Sequence, residues 1–162
     1  MFGGENFVVI HTAISLVGLV LGVPAVLGLY GKPATPFITK SFLLFALATS
    51  ITGFLFPFSG VTPAFATGIV ATVILIPTIY ARFYTHAEGA WRWIYAAGLV
   101  ISEYLLAFVT VVQLFLKVPA LAELAPGGGG PVFGAVQFAL LAVFVYLGWR
   151  AVKTYRPTVV PA

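Results

Sequence analysis

A chain of 162 residues with 61% hydrophobic and 7% charged residues lacks the polar surface that a soluble domain of this length needs to cover one core. The formal net charge of +4 does not mark a nucleic-acid binder, because the basic residues lie between apolar runs and form no common polar face. Cysteine is absent, which excludes disulfides, thiolate metal sites and thiol catalysis.

Five apolar runs follow one another, at about 7–30, 37–57, 63–84, 90–116 and 132–151. Each approaches the ~20 residues that cross a hydrocarbon layer as a helix. The expected fold is therefore an all-α polytopic transmembrane bundle of five spans in one domain, its partner the lipid bilayer. Residues 117–131 form a Pro/Gly-rich outer loop and 152–162 a cytoplasmic tail.

The first run opens after Glu5 instead of a basic segment and is too long for a signal-peptide core, so it is expected to remain as a span. His11 and Thr12 lie about a turn inside it, and Ser15, Gly18 and Gly22 supply small residues for close helix packing. That stripe serves packing within one bundle or self-association through Gly18 and Gly22. The second run carries Thr49, Ser50 and Thr52 and ends in Phe54, Phe56 and Phe58. The third carries Thr72; Pro77 in it, like Pro24 in the first, is expected to kink its helix.

The fourth run holds the least expected residue, Glu103, at mid-depth. A carboxyl there costs a few kcal/mol or more and normally faces protein or water. At ~100° per residue, Arg92, Glu103, Thr110 and Lys117 fall within about 40° of one another, with Gln113 to one side. Thr49, Ser50, Thr72 and Tyr146 are at similar depth on other spans. Their hydroxyls suit a neutral Glu103. Two readings stay open: a proton- or ion-handling site at Glu103, or a hydrogen-bonded carboxyl that fixes helix register. Near the outer face, His11, Thr12, Thr52, Ser59, Gln113 and Gln137 form a second polar cluster. There Gln113 and Gln137 either satisfy each other or line a pocket for a quinone headgroup, haem propionate or polar solute.

Seven of the eight basic residues fall on one side of a five-span arrangement, leaving Lys117 opposite. The positive-inside rule then puts the N-terminus outside and the C-terminus in the cytoplasm. Trp91, Trp93, Tyr95, Tyr84 and Trp149 are expected as anchors at the cytoplasmic interface, where Lys40 can snorkel. Haem held by two histidines fails on depth, since His11 and His86 lie at opposite faces. Metal ligands are too few for zinc, so no metal site is assigned. Gly127–Gly130 reads as a flexible connector.

The stretches His11-Thr-Ala-Ile-Ser-Leu, Thr52-Gly-Phe-Leu-Phe-Pro-Phe, Gly89-Ala-Trp-Arg-Trp-Ile-Tyr and Val112-Gln-Leu-Phe-Leu-Lys-Val-Pro-Ala-Leu span most of the chain. They resemble a group of small, uncharacterised multi-pass bacterial membrane proteins. The resemblance implies a bacterial inner-membrane location and no particular activity. In that group further histidines follow the Phe-Pro-Phe segment and open the next span, where this chain has Ser59 and Ala64-Phe65. A metal or haem site near His11 in such relatives would be altered here.

The functional expectation is a non-enzymatic accessory or ligand-binding helix bundle, working in a homo-oligomer or a larger membrane complex. The alternative is a proton-linked transporter or channel using Glu103. A third reading is redox-cofactor binding, haem or quinone, near His11.

Overall fold

The computed structural model describes residues 4–31, 34–58, 60 and 62–157. Ser59, named above, and Lys32, one of the seven basic residues counted on one side, lie outside them. The described residues form six α-helices and no strand: α1 Glu5–Leu27, α2 Pro36–Phe54, α3 Pro63–Phe83, α4 Trp91–Lys117, the short α5 Pro119–Leu124 and α6 Pro131–Thr154. Five of them, all but α5, are long and apolar enough to cross a membrane.

Local chemistry sets the boundaries. Thr35 and Thr62 each cap a helix whose first residue is proline, accepting hydrogen bonds from the backbone N–H groups of Ile38 and Phe65 at 3.4 and 3.2 Å. Proline loses nothing at that position, because its missing N–H would have had no partner inside the helix. At the other ends, some apolar residues leave the helix early. The first helix stops at Leu27, with Leu29 and Tyr30 in tight turns closed on Val26 and Leu27, and the second stops at Phe54, three residues short of Pro57. The last helix runs on to Thr154, three residues past its apolar run.

The connection after α4 contains local structure on both sides of Ala125. It folds into α5 and a single 3₁₀ turn, Pro126–Gly128. Gly127, Gly128 and Gly130 all take positive φ, a conformation other residues enter only at a cost.

α4 is the central element, packed against α1, α3 and α6; α2 bridges α1 and α3, and α6 rests on α4. Phe42, Leu43, Leu75, Leu99 and Val100 fill the interior. Since lipid is as apolar as these side chains, close packing and its dispersion energy hold such a bundle together. Two glycines permit the closest approaches. A Cβ on Gly98 of α4 would strike the Thr78 hydroxyl of α3, and one on Gly22 of α1 would strike the Glu103 carboxyl of α4 and the Phe42 ring of α2. Gly18 lies against Leu106 and Phe45. The small-residue stripe of the first span is thus used within the chain, and Gly18 and Gly22 offer no surface to a second copy.

Outside, every spanning helix shows large apolar side chains, among them Val20, Leu44, Val73 and Val145, and Phe138 is 73% exposed. Soluble monomers do not carry an apolar surface of that extent. The bundle is compatible with a membrane protein. Of the expected interface aromatics, Tyr84, Trp93 and Trp149 face outward. Tyr95 does not. It is 4% exposed, because its turn of α4 faces α3, with Arg82 6.0 Å from its ring.

Candidate functional site

Hydroxyl groups carried into an apolar bundle need acceptors, and the nearest is the carbonyl one turn back on the same helix. Ser15, Thr49, Ser50, Thr72, Thr78 and Thr110 all donate there, at 2.7 to 3.2 Å. Their protons are thereby committed, while their oxygens still present lone pairs. The hydroxyls expected to support Glu103 do not reach it. Thr49 and Ser50 bond their own helix, and Tyr146 is 55% exposed, its ring near Trp149 and Arg150.

Glu103 is 3% exposed, and its Oε2 has no hydrogen-bond partner. That oxygen occupies the space a Gly22 side chain would take, against the glycine Cα hydrogens, which are weak donors. The polar stripe on α4 is therefore not continuous. Arg92 donates from Nη1 to the Tyr155 carbonyl at 2.9 Å, Glu103 turns toward α1, and Thr110 and Lys117 face a cavity.

That cavity, of about 580 Å³, lies between the His11 end of α1, the C-terminal half of α2, α3 and the C-terminal half of α4. Its size is within the range of small-molecule pockets. Thr49, Ser50 and Ser102 mark its polar depth; Gln113 and Lys117 line it nearer the end of α4. Phe54 and Phe58 each pack edge-on against Phe65, and Phe56 does the same against Phe7 and His11. The Phe-rich end of the second run is thus part of a cavity wall as well as a candidate anchor.

His11 Nδ1 lies 2.8 Å from Thr52 Oγ1. The Thr52 hydroxyl itself donates to the Ala48 carbonyl at 2.7 Å. With that proton committed, the histidine must be the donor, so Nδ1 carries the hydrogen, and in the neutral imidazole Nε2 keeps its lone pair. The cavity therefore presents acceptors, His11 Nε2 and several hydroxyl oxygens, together with a few donors. One donor is unusual. Ser102 is 3% exposed, lines the cavity, and its Oγ has no partner.

Of the residues singled out from the sequence, the cavity gathers His11, Thr12, Gln113 and Thr110. It leaves out Glu103, Tyr146 and Gln137. Gln137 does not pair with Gln113: its Nε2 donates to the Phe108 carbonyl at 3.2 Å, and its Oε1 is buried without a partner. Phe108 and Gln113 lie about 140° apart around α4, so the two glutamines act on different faces. Ser102 is not among the residues that the sequence singles out, although, as a second polar residue at the depth of Glu103, it carries the same signal.

Among the described residues, no group of three His, Cys, Asp or Glu side chains could hold a metal ion. At this end His11 supplies a single imidazole, one axial position for a haem. No protein-family model matches this chain, and no curated protein or solved structure matches it.

Proposed function

We propose that the chain is a membrane-embedded binding protein for a small, largely apolar molecule bearing hydrogen-bonding groups, received in the cavity at the His11 end. The observation that carries this reading is a cavity of about 580 Å³ whose wall is largely apolar and aromatic and carries Thr49, Ser102, Gln113 and Lys117, with the unpaired Ser102 Oγ buried behind it. A buried donor without an acceptor costs about 1–3 kcal/mol, and a turn of the Ser102 side chain toward the cavity would let a ligand carbonyl or ether oxygen remove that cost. Farther out, Gln113 and Lys117 offer donors to a second oxygen, and His11 Nε2 accepts from a ligand hydroxyl. A quinone-like headgroup has this pattern of acceptors, and the aromatic wall suits its ring.

Glu103 takes a structural role in this reading, seating α1 on α4 through Gly22, since it is off the cavity wall. The excess of basic residues at the Arg82 end supports a cytoplasmic location for that end in a bacterial inner membrane. Assembly with a second copy or a larger complex belongs to the same proposal.

Native mass spectrometry of the protein in mild detergent tests it. Wild type is expected to carry a bound small molecule that Ala71→Phe, placed to fill the cavity, excludes and that Ser102→Val weakens. Identical adducts on all three proteins, or none on wild type after extraction from its native membrane, would sink the reading. The same spectra report oligomers and partners. Because the chain has no cysteine, Glu88→Cys and Glu123→Cys can each be probed with an impermeant maleimide, and labelling of the first from outside intact cells overturns the orientation.

A further inference from the structure

The opposite end of the bundle holds a second cavity, of about 660 Å³, between the end of α1, the start of α2, the end of α3 and the segment after α6. We propose that it binds a phosphate-bearing anion, presented either by an anionic lipid headgroup or by a soluble phosphorylated molecule.

Arg82 carries most of the argument. It is half-buried on the cavity wall, and no carboxylate or carbonyl accepts from its guanidinium among the described residues. Arg82 lies 6.0 Å from the Tyr95 ring, a contact that supplies no hydrogen-bond acceptor, whereas Arg92 is held on the Tyr155 carbonyl at 2.9 Å, and Arg150 and Lys153 sit nearer to rings, 5.3 Å from Tyr30 and 4.3 Å from Trp149. A planar fork of N–H donors without an acceptor, inside a cavity, is the arrangement that takes phosphate oxygens in pairs.

Three further features converge on the same space. Arg156 lines the rim, with Nη1 on the Lys153 and Tyr155 carbonyls at 3.2 and 3.1 Å. Burial pushes the Tyr155 hydroxyl above the usual tyrosine range while Arg82 opposes the shift, so at neutral pH this phenol stays a donor. Thr35, Pro36 and Thr39 bring the positive end of the 19-residue α2 to the cavity.

Opposing charge is small. Glu88 is the one carboxylate lining the cavity; it is exposed and forms no ion pair among the described residues. The carbonyl ends of α1, α3 and α6 also arrive here, and Gly28, Tyr84 and Tyr155 each donate to one of those carbonyls, of Pro24, Tyr80 and Ala151. A basic cavity where spanning helices end, at headgroup depth, matches the physical profile of anionic-lipid sites.

The test is native mass spectrometry of the full chain in detergent, titrated with dioleoylphosphatidylglycerol, dioleoylphosphatidylcholine or sodium phosphate. Wild type is expected to retain one phosphatidylglycerol with at least tenfold preference over the choline lipid. Arg82→Gln should cut that retention at least tenfold, Arg82→Lys less, and Lys153→Gln not at all. If Arg82→Gln folds poorly, Arg156→Gln at the exposed rim should lower retention several-fold on an intact bundle. Displacement of the lipid by millimolar phosphate assigns the site to a soluble phosphate, and resistance to it assigns the site to lipid. Equal retention of the two lipids overturns the proposal, as does wild-type retention by both arginine variants.

Discussion

The His11 end and the Arg82 end enclose cavities of similar size, about 580 and 660 Å³, with opposite chemistry. At the His11 end the polar groups are mainly hydroxyls whose protons go to their own helix one turn back. At the Arg82 end they are guanidinium groups and phenols supported by backbone carbonyls and aromatic rings. The difference follows from depth. A hydroxyl can be satisfied locally and so can be carried far into an apolar bundle, whereas a guanidinium has no local acceptor of matching strength and stays where helices end. Two kinds of site result from one rule: a neutral, amphipathic pocket within the bundle, and a charged one at its margin.

The largest expected effect removes the division between them. Gly98 lies on α4 between Tyr95, which lines the Arg82-end cavity, and Ser102, which lines the other. Gly98→Ala drives a methyl group into the Thr78 hydroxyl and should cost about 1–3 kcal/mol, read as a lower unfolding midpoint in a denaturing-detergent titration. An unchanged midpoint would show that α3 and α4 separate easily. Gly22→Ala meets Glu103 in the same way, and removing the carboxyl should recover part of the loss. In the Gly22→Ala/Glu103→Ala cycle we expect a coupling of about 0.5–3 kcal/mol; additivity would mean the two do not touch.

A smaller effect separates hydroxyls that serve another helix from those that serve their own. Thr52→Val leaves the His11 Nδ1–H without its acceptor and should cost about 1–2 kcal/mol. Thr72→Val, which removes only a bond to the Gly68 carbonyl, should stay within about 0.5 kcal/mol. Equal losses would break the distinction. The smallest effect is alkaline. Burial raises both Tyr30 and Tyr155, each against a nearby arginine. The stability tied to their neutral forms is complete below the ordinary tyrosine value of about 10 and is lost as pH climbs through the raised values. Phenolate absorbance near 295 nm should therefore lag behind that of Tyr30→Phe/Tyr155→Phe once the exposed tyrosines are accounted for.

Five apolar runs were enough to locate five long helices, because hydropathy over ~20 residues is a strong signal and needs no neighbour. The third apolar run and α3 begin at the same residue, Pro63, where the Thr62 cap and the proline act locally. Tyr95 and Gln137 are not legible in this way: whether an aromatic ring anchors at an interface or enters the core depends on which way its helix is turned. Hydropathy that is high on every face carries no such information. The Glu103 neighbourhood failed similarly, because shared depth brought Thr49, Ser50 and Tyr146 to the right level but on the wrong faces or with their protons committed. The Arg82 cavity was overlooked altogether. A short connection between antiparallel helices places Arg82, near the end of one, level with Tyr95, near the start of the next, and that spacing was visible in the sequence.

Tyr30 donates to the Leu147 carbonyl at 2.6 Å, across 117 positions of sequence, and α6 otherwise rests on α4. The final span is thus a panel seamed along one edge and clasped at one point on the other. The preceding helices can close around the His11-end cavity before it arrives, whereas the Arg82-end cavity is completed only by the segment that follows α6, so the order of synthesis is also the order of assembly. A chain cut within residues 125–130 is then expected to behave as two fragments that re-pair in the membrane. Tyr30→Phe should loosen that pairing without altering the larger fragment, as co-purification of the halves would show.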